Sequence, residues 1–239
     1  MSSETLEDLV QKWLRWDKDL STAAQIRSLW ESARDAGSSQ KSQSEAELEK
    51  RLRNRIQFGT AGLRGQMQAG FAFMNSLTVI QASQGLAQYI VSSGISASPK
   101  SVLIGHDTRH NSAQYAILAA NAFRCKGVQV HLFEDYVPTP LVAFGVKALS
   151  ADAGIMITAS HNPAMDNGYK VYQSNGAQIN TPVDASIANA IKENLQPWEG
   201  AWEMPEFQAG SPSSELLPKI REQYTNLLVS RTHQVSHFR

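Results

Sequence analysis

The chain has 239 residues, 42% of them hydrophobic, enough for one large or two modest domains with a buried core. Its 22 basic residues balance its 22 acidic ones, so it carries no electrostatic footprint for nucleic acid or an anionic membrane surface. A single cysteine, Cys125, excludes an internal disulfide, and no apolar signal core stands near the N-terminus; the expectation is a reducing, cytoplasmic setting with Cys125 buried as packing.

From the N-terminus, Leu6, Leu9, Val10, Trp13 and Leu14 recur at helical spacing and predict an amphipathic helix, followed by a second around Thr22 to Ala33. Asp35 to Ser44 turns to Gly, Ser, Gln and Lys, the composition of a flexible linker. Ser44 with Glu47 matches a capping box, and Leu48, Leu52 and Ile56 form the buried stripe of a third helix. Lys50, Arg51, Arg53 and Arg55 cluster there, but Glu45, Glu47 and Glu49 interleave, so the segment reads as a solvated helix face. Between Arg64 and Lys100 no residue is charged. Gln66, Gln68, Asn75, Gln81, Gln84 and Gln88, with Gly70, Gly85 and Gly94, interrupt that run and argue against a membrane span.

Gly59, Gly62 and Gly65 mark a glycine-rich turn before a helix from about Leu77 to Val91; their spacing is neither the dinucleotide fingerprint nor a Walker loop. The pattern then alternates. Val102 to Ile104 reads as a strand, Ser112 to Lys126 as a helix, Val128 to Phe133 as a strand, Leu141 to Leu149 as a helix opened by Pro138-Thr139-Pro140, and Ala153 to Thr158 as a strand. Such alternation predicts crossover units and an α/β sheet with helices on both faces. Tyr169 to Tyr172 and Ala177 to Ile179 read as short extended pieces, Pro182 to Leu195 as a helix, Gln196 to Ser214 as an exposed linker, and Glu215 to Ser230 as a helix with Leu216, Ile220, Tyr224 and Leu227 or Leu228 along one side. No repeat of solenoid period is present.

Chemistry concentrates in a few strings. Thr158-Ala159-Ser160-His161-Asn162-Pro163 directly follows the apolar run Ala153 to Ile157, so the Ser160 hydroxyl is presented at a strand's carboxyl end beside an imidazole, with Lys170 following in Asp166-Asn167-Gly168-Tyr169-Lys170. Taken alone, the string also reads as a polar turn in which Ser160 and Asn162 bond the backbone and Pro163 stiffens the corner. Gly105-His106-Asp107-Thr108-Arg109 ends the Val102 strand; alone, Asp107 and Arg109 read as a surface ion pair. His106 and His110 have the spacing of zinc ligands, but Asp107 stands where that motif has Glu and Thr108-Arg109 reads as loop, so zinc is not expected. Asp17 and Asp19, the D-x-D pair of the N-terminal helical region, read as solvated.

Read together with Phe58-Gly59-Thr60-Ala61-Gly62-Leu63-Arg64-Gly65, the serine string resembles the α-D-phosphohexomutases, which move phosphate between two hydroxyls of one sugar. The resemblance implies that Ser160 carries the phosphoryl group, that Arg64 contacts the reacting phosphate, and that His161 contacts substrate and phosphate. Lys170 is then the candidate general acid/base, and Asp107, Arg109 and Asn162 support the serine loop. It also implies a three-layer α/β/α domain with a mixed, mostly parallel sheet preceded by N-terminal helices. A sugar 1,6-bisphosphate would be activator and intermediate. Magnesium would be held by a D-x-D-x-D-R loop of a second domain, with the phosphate oxygen of Ser160 as the remaining protein ligand.

That aspartate loop is not in this sequence, nor is the domain that grips the distal phosphate. The expected organisation is a helical extension and linker over 1–43, the serine domain over 44–210 and the start of a second domain over 211–239, with Val235 to Arg239 unmatched. The chain is expected to be folded but inactive alone, the first part of a monomeric enzyme whose partner is a small phosphosugar. The helical preface, the Phe58 to Gly65 string and Asp166 to Tyr172 look closest to the phosphoglucomutase-2 and phosphopentomutase branch. That branch acts on ribose, deoxyribose or glucose 1-phosphate, and one relative makes glucose 1,6-bisphosphate. The serine loop does not choose between hexose and pentose. Two alternatives stay open: a non-catalytic remnant or splice form acting by interaction, and a phosphomannomutase-like member of the same family.

Overall fold

A computed structural model of the chain describes residues 4–35, 40–94, 99–203 and 215–235. Parts of the two expected linkers, 36–39 and 204–214, and the tail 236–239 lie outside the described residues.

Helices α1 (Leu6–Trp16), α2 (Leu20–Arg34) and α3 (Lys41–Leu52) form the N-terminal unit. Thr5 and Asp8 close a capping box on α1, and the Asp19 carboxylate caps α2 by accepting from the amides of Ser21 and Thr22. The apolar faces converge on the domain that follows: Trp13, Ile26, Leu48 and Leu52 enclose Phe71 and Leu77, with Trp13 edge-on to Phe71 at 5.1 Å.

Three expectations fail here. Helix α3 starts at Lys41 with Gln40 as its cap, so Ser44 lies inside it and is buried, not capping; it shares the i, i+4, i+8 face of Leu48 and Leu52. The helix ends at Leu52, which puts Ile56 and Arg55 beyond it: Ile56 donates its amide to Phe71 O, and Arg55 stacks over the Phe71 ring. Asp17 is buried at the α1–α2 turn, accepting from the Thr22 hydroxyl (2.6 Å) and the Asp19 amide (3.0 Å), instead of being solvated.

Strands β1 (Leu63–Gln66), β2 (Ser101–His106), β3 (Gln129–Leu132), β4 (Ala153–Ile157) and β5 (Asp166–Gln173) form one mixed sheet in the order β1-β5-β4-β2-β3. The β2–β3 and β2–β4 pairs are parallel, while β5 runs antiparallel to both β4 and β1, so every strand except β5 points the same way. Sequence patterning sees a turn where β1 forms. Its four residues are held by β5, and Gly62, at φ +72°, permits the approach: a Cβ there would sit on the carbonyl oxygen of Tyr169.

Alternate strand residues face opposite layers. Val102, Ile104, Ile155, Ile157, Tyr169 and Val171 pack under α4 (Ser76–Ser92), α5 (Ser112–Cys125) and α7 (Val183–Glu193). Leu103, Met156 and Tyr172 face α6 (Thr139–Leu149) and α8 (Leu216–Val235) on the other side. The result is the expected three-layer α/β/α arrangement. Helix α4 explains the uncharged run, since it packs against both α5 and α7 and is buried on nearly all sides. Its buried Gln81 and Gln84 amides bond the carbonyls of Leu195, Asn194 and Gln196, and Gln84 Oε1 accepts from the Trp198 amide.

Those bonds overturn the start of the expected exposed linker: Ala201 is fully buried against Ile80 and Leu118, with Trp198 and Trp202 packed alongside. Cys125 is exposed instead of buried, because Phe123 takes the inward position at the end of α5. On α8, Leu217 and Ile220 bury against α6 and Tyr224 meets Phe144 edge-on at 5.3 Å, while Leu227, Leu228 and Val229 stay exposed. No helix among the described residues is long and apolar enough to cross a membrane.

Candidate functional site

Strand β4 ends at Ile157, and the chain then turns out of the sheet so that Ser160 and His161 are exposed at the carboxyl end of the parallel strands. Ser160 adopts φ +57°, a left-handed conformation uncommon for a residue with a Cβ. Local bonds hold it there: its amide donates to Thr158 Oγ1 at 2.9 Å, and its Oγ lies 3.1 Å from His161 Nδ1.

Arg109 braces the loop from the end of β2. Its Nη1 donates to the carbonyls of Pro163 (2.8 Å) and Asp166 (3.1 Å), and its Nη2 to those of Ser160 (2.8 Å) and Asn162 (2.7 Å). Asp107 aims that guanidinium, with Oδ2 3.4 Å from Arg109 Nε, while its Oδ1 accepts from the Arg109 amide and the Ser112 hydroxyl. The surface ion pair read from the sequence is therefore one edge of a network. Sequence reasoning gave Asn167 no role, yet it is fully buried and donates to His110 O and Ser112 Oγ while accepting from the Gly168 amide. No local signal marks it, because its partners come from a distant segment.

Register brings the remaining candidates together. Arg64 pairs with Gly168 across β1–β5, and Lys170, two residues on, shares that face of β5. Arg64 Nη1 reaches Asn162 Oδ1 at 3.4 Å, and Asn162 Nδ2 donates to Asp166 Oδ2 at 2.9 Å. Burial and the Arg64 charge hold the Lys170 ammonium below its ordinary pKa, with Asp107 pulling partly back. An exposed hydroxyl, the exposed Arg64 guanidinium and an amine of lowered basicity thus lie at one edge of the sheet, groups whose chemistry suits nucleophilic attack, anion contact and proton transfer. His106 is buried with Nδ1 against Asp107 O, and His110 is exposed. Among the described residues no group of three or more His, Cys, Asp or Glu side chains gathers as a metal site.

The same region carries the likeness to known proteins. Residues 55–198 match the model of phosphoglucomutase/phosphomannomutase, alpha/beta/alpha domain I. The chain is 46% identical over 203 residues to a Saccharomyces cerevisiae protein named phosphoribomutase, covering 83% of this chain and 30% of that protein. It is 43% identical over 203 residues to the human glucose 1,6-bisphosphate synthase, covering 82% and 31%. A solved structure from Thermus thermophilus, assigned by its name to the phosphomannomutases, superposes with a TM-score of 0.55 at 30% identity, over 64% of this chain and 33% of that one. The chain thus spans about 30% of the length of the curated relatives it matches. With more than half its residues inside the family model and the serine loop, Arg64 and Lys170 all within the matched span, the chain belongs to the phosphoglucomutase/phosphomannomutase family and contains its α/β/α domain I.

Proposed function

We propose that this chain is the serine-bearing domain of a phosphomutase that interconverts a sugar 1-phosphate and the 6-phosphate, or a pentose 1- and 5-phosphate, through a phosphoserine and a sugar bisphosphate. The observation that carries the reading is the exposed Ser160 hydroxyl at the strand ends, on a loop pinned by four Arg109 hydrogen bonds and faced by Arg64 and Lys170. Phosphoryl transfer asks for placement and charge neutralisation above all, and a rigid loop beside the Arg64 guanidinium suits both.

In the step proposed, the bond between phosphorus and Ser160 Oγ breaks as the sugar hydroxyl bonds phosphorus. Lys170, acting in its neutral form, takes that hydroxyl's proton and returns it to Ser160 Oγ. Reversal at the other phosphate of the bisphosphate rephosphorylates Ser160. Arg64 and His161 contact the transferring group, while Asn162, Asp107 and Arg109 position the loop. Relatives named for ribose and for glucose bisphosphate chemistry support an aldose phosphate as substrate without choosing its ring size.

Magnesium does not fit the described residues by themselves. Once phosphorylated, Ser160 offers it an oxygen, but no carboxylate cage accompanies that oxygen. No step here is routed through the metal.

The test replaces the matching segment of the yeast relative with this chain, incubates the hybrid with a sugar bisphosphate carrying labelled phosphate, and maps the label. Label on Ser160, lost with activity in Ser160→Ala, is the expected result. Label elsewhere, or undiminished turnover in Ser160→Ala, sinks the assignment.

A further inference from the structure

Arg55 is a half-buried cation with little to balance it. It lies beyond α3, apart from the residues of that helix where Arg51 and Arg53 pair with Glu47 and Glu49. Its guanidinium stacks 4.4 Å from the Phe71 ring centroid and donates one hydrogen bond, from Nη1 to Gln81 Oε1 at 2.8 Å. Among the described residues no carboxylate stands within ion-pair distance of it. Glu4 acts on it through space and is itself paired with Lys12. Desolvation pushes its pKa down to about 10, the direction expected of a guanidinium short of anionic partners.

Arg55 lines a cleft of about 100 Å³ between its own segment, α4 and the C-terminal part of α7, where Lys192 also stands. Much of the remaining wall is apolar, with Ile56, Leu63 and Ile191 among it. The cleft's other polar side chains are already engaged. Gln81 bonds Arg55 and Leu195 O, the Thr78 hydroxyl serves the α4 capping box, and Gln57 donates to the Arg55 carbonyl. The cations among the lining residues are Arg55, with N–H groups beyond the one given to Gln81, and Lys192. Leu63 turns into this layer, while Arg64, next along β1, reaches Asn162 on the opposite face. The cleft and the serine loop are therefore separate.

We propose that this cleft binds a small monocarboxylate with a short apolar tail, the carboxylate taken by Arg55 and Lys192 and the tail by Ile56, Leu63 and Ile191. The guanidinium fork matches a carboxylate in two-point geometry. A doubly charged phosphate would have to shed far more hydration against the apolar wall. The cleft volume suits a tail of a few carbons.

The test uses the full 239-residue chain at fixed ionic strength, following the Arg55 Nε–Hε NMR resonance and the melting temperature while acetate, butyrate, octanoate or inorganic phosphate is titrated. Butyrate is expected to shift the resonance saturably and raise Tm, with acetate weaker for want of a tail, octanoate weaker for want of room, and phosphate weaker than butyrate. Lys192→Ala, a change at the cleft rim, should weaken butyrate about tenfold, the worth of one charge-assisted hydrogen bond. No saturable shift with any carboxylate, phosphate binding more tightly than butyrate, or unchanged affinity in Lys192→Ala would each overturn the proposal.

Discussion

Arg109 shows how far a single side chain shapes the site. Its planar fork satisfies four carbonyls of a loop that has no ladder to hold it, so Arg109→Lys, with one ammonium in place of the fork, should leave the loop nearly as loose as Arg109→Ala does. Faster hydrogen exchange at the amides of 160–162 and 164–166 in both variants is the expected readout. Arg64→Ala and Lys170→Ala should each lower transfer by about 10²–10³ without lowering Tm, as expected when a preorganised charged group is removed from the reacting centre; wild-type kinetics in either returns that residue to a passive role. Lys170 also sets a pH limb. Its folded pKa is depressed, so the ammonium costs stability at low pH, and that cost disappears as pH rises from the folded value through the unfolded one. Activity that needs the neutral amine should rise with pH at a midpoint below that of an ordinary lysine, and Arg64→Ala, by removing one cause of the depression, should move that midpoint upward. The serine string and Arg64 were singled out through their likeness to a family's strings, the serine string alone also reading as a polar turn. The part played by Asn167 was not, since its partners His110 and Ser112 lie more than fifty positions away.

Among the elements, the α1–α2 turn is where sequence patterning misread a charge. Asp17 is buried, and desolvation raises its pKa to about 6 against the pull of the Thr22 hydroxyl and the Asp19 amide. The folded state therefore binds the proton more tightly than the unfolded one. The stability this confers is full below the unfolded value near 4 and is lost as pH rises through about 6. Thermal melts of the chain should show Tm falling across that window, and Asp17→Asn should flatten the fall; an unchanged slope would remove Asp17 as its source. The alternation of strands and helices was readable because each period repeats within one element. Strand β1 was not, because four residues carry too little period, and the extent of β5, Asp166–Gln173, is set by strands on both sides of it.

For the whole molecule, the sheet and its helices supply the serine loop with Arg64 beside it, but the described residues hold no carboxylate cage for magnesium. Purified alone, the 239-residue chain is therefore expected to give a cooperative melt yet negligible mutase turnover with magnesium and sugar bisphosphate supplied; turnover comparable with that of the yeast relative would refute this. By itself the sequence determined the α/β class, the order of nearly every element and the location of the serine string, because hydrophobic period and residue chemistry are local properties. Only the tertiary structure decided that Asp17 is a buried charge and Arg55 a half-buried one, that Gln81 and Gln84 fasten the segment after α7, and that Arg64, Asn162 and Lys170 share one rim. Burial and register depend on which distant segment arrives opposite, and no local period encodes that.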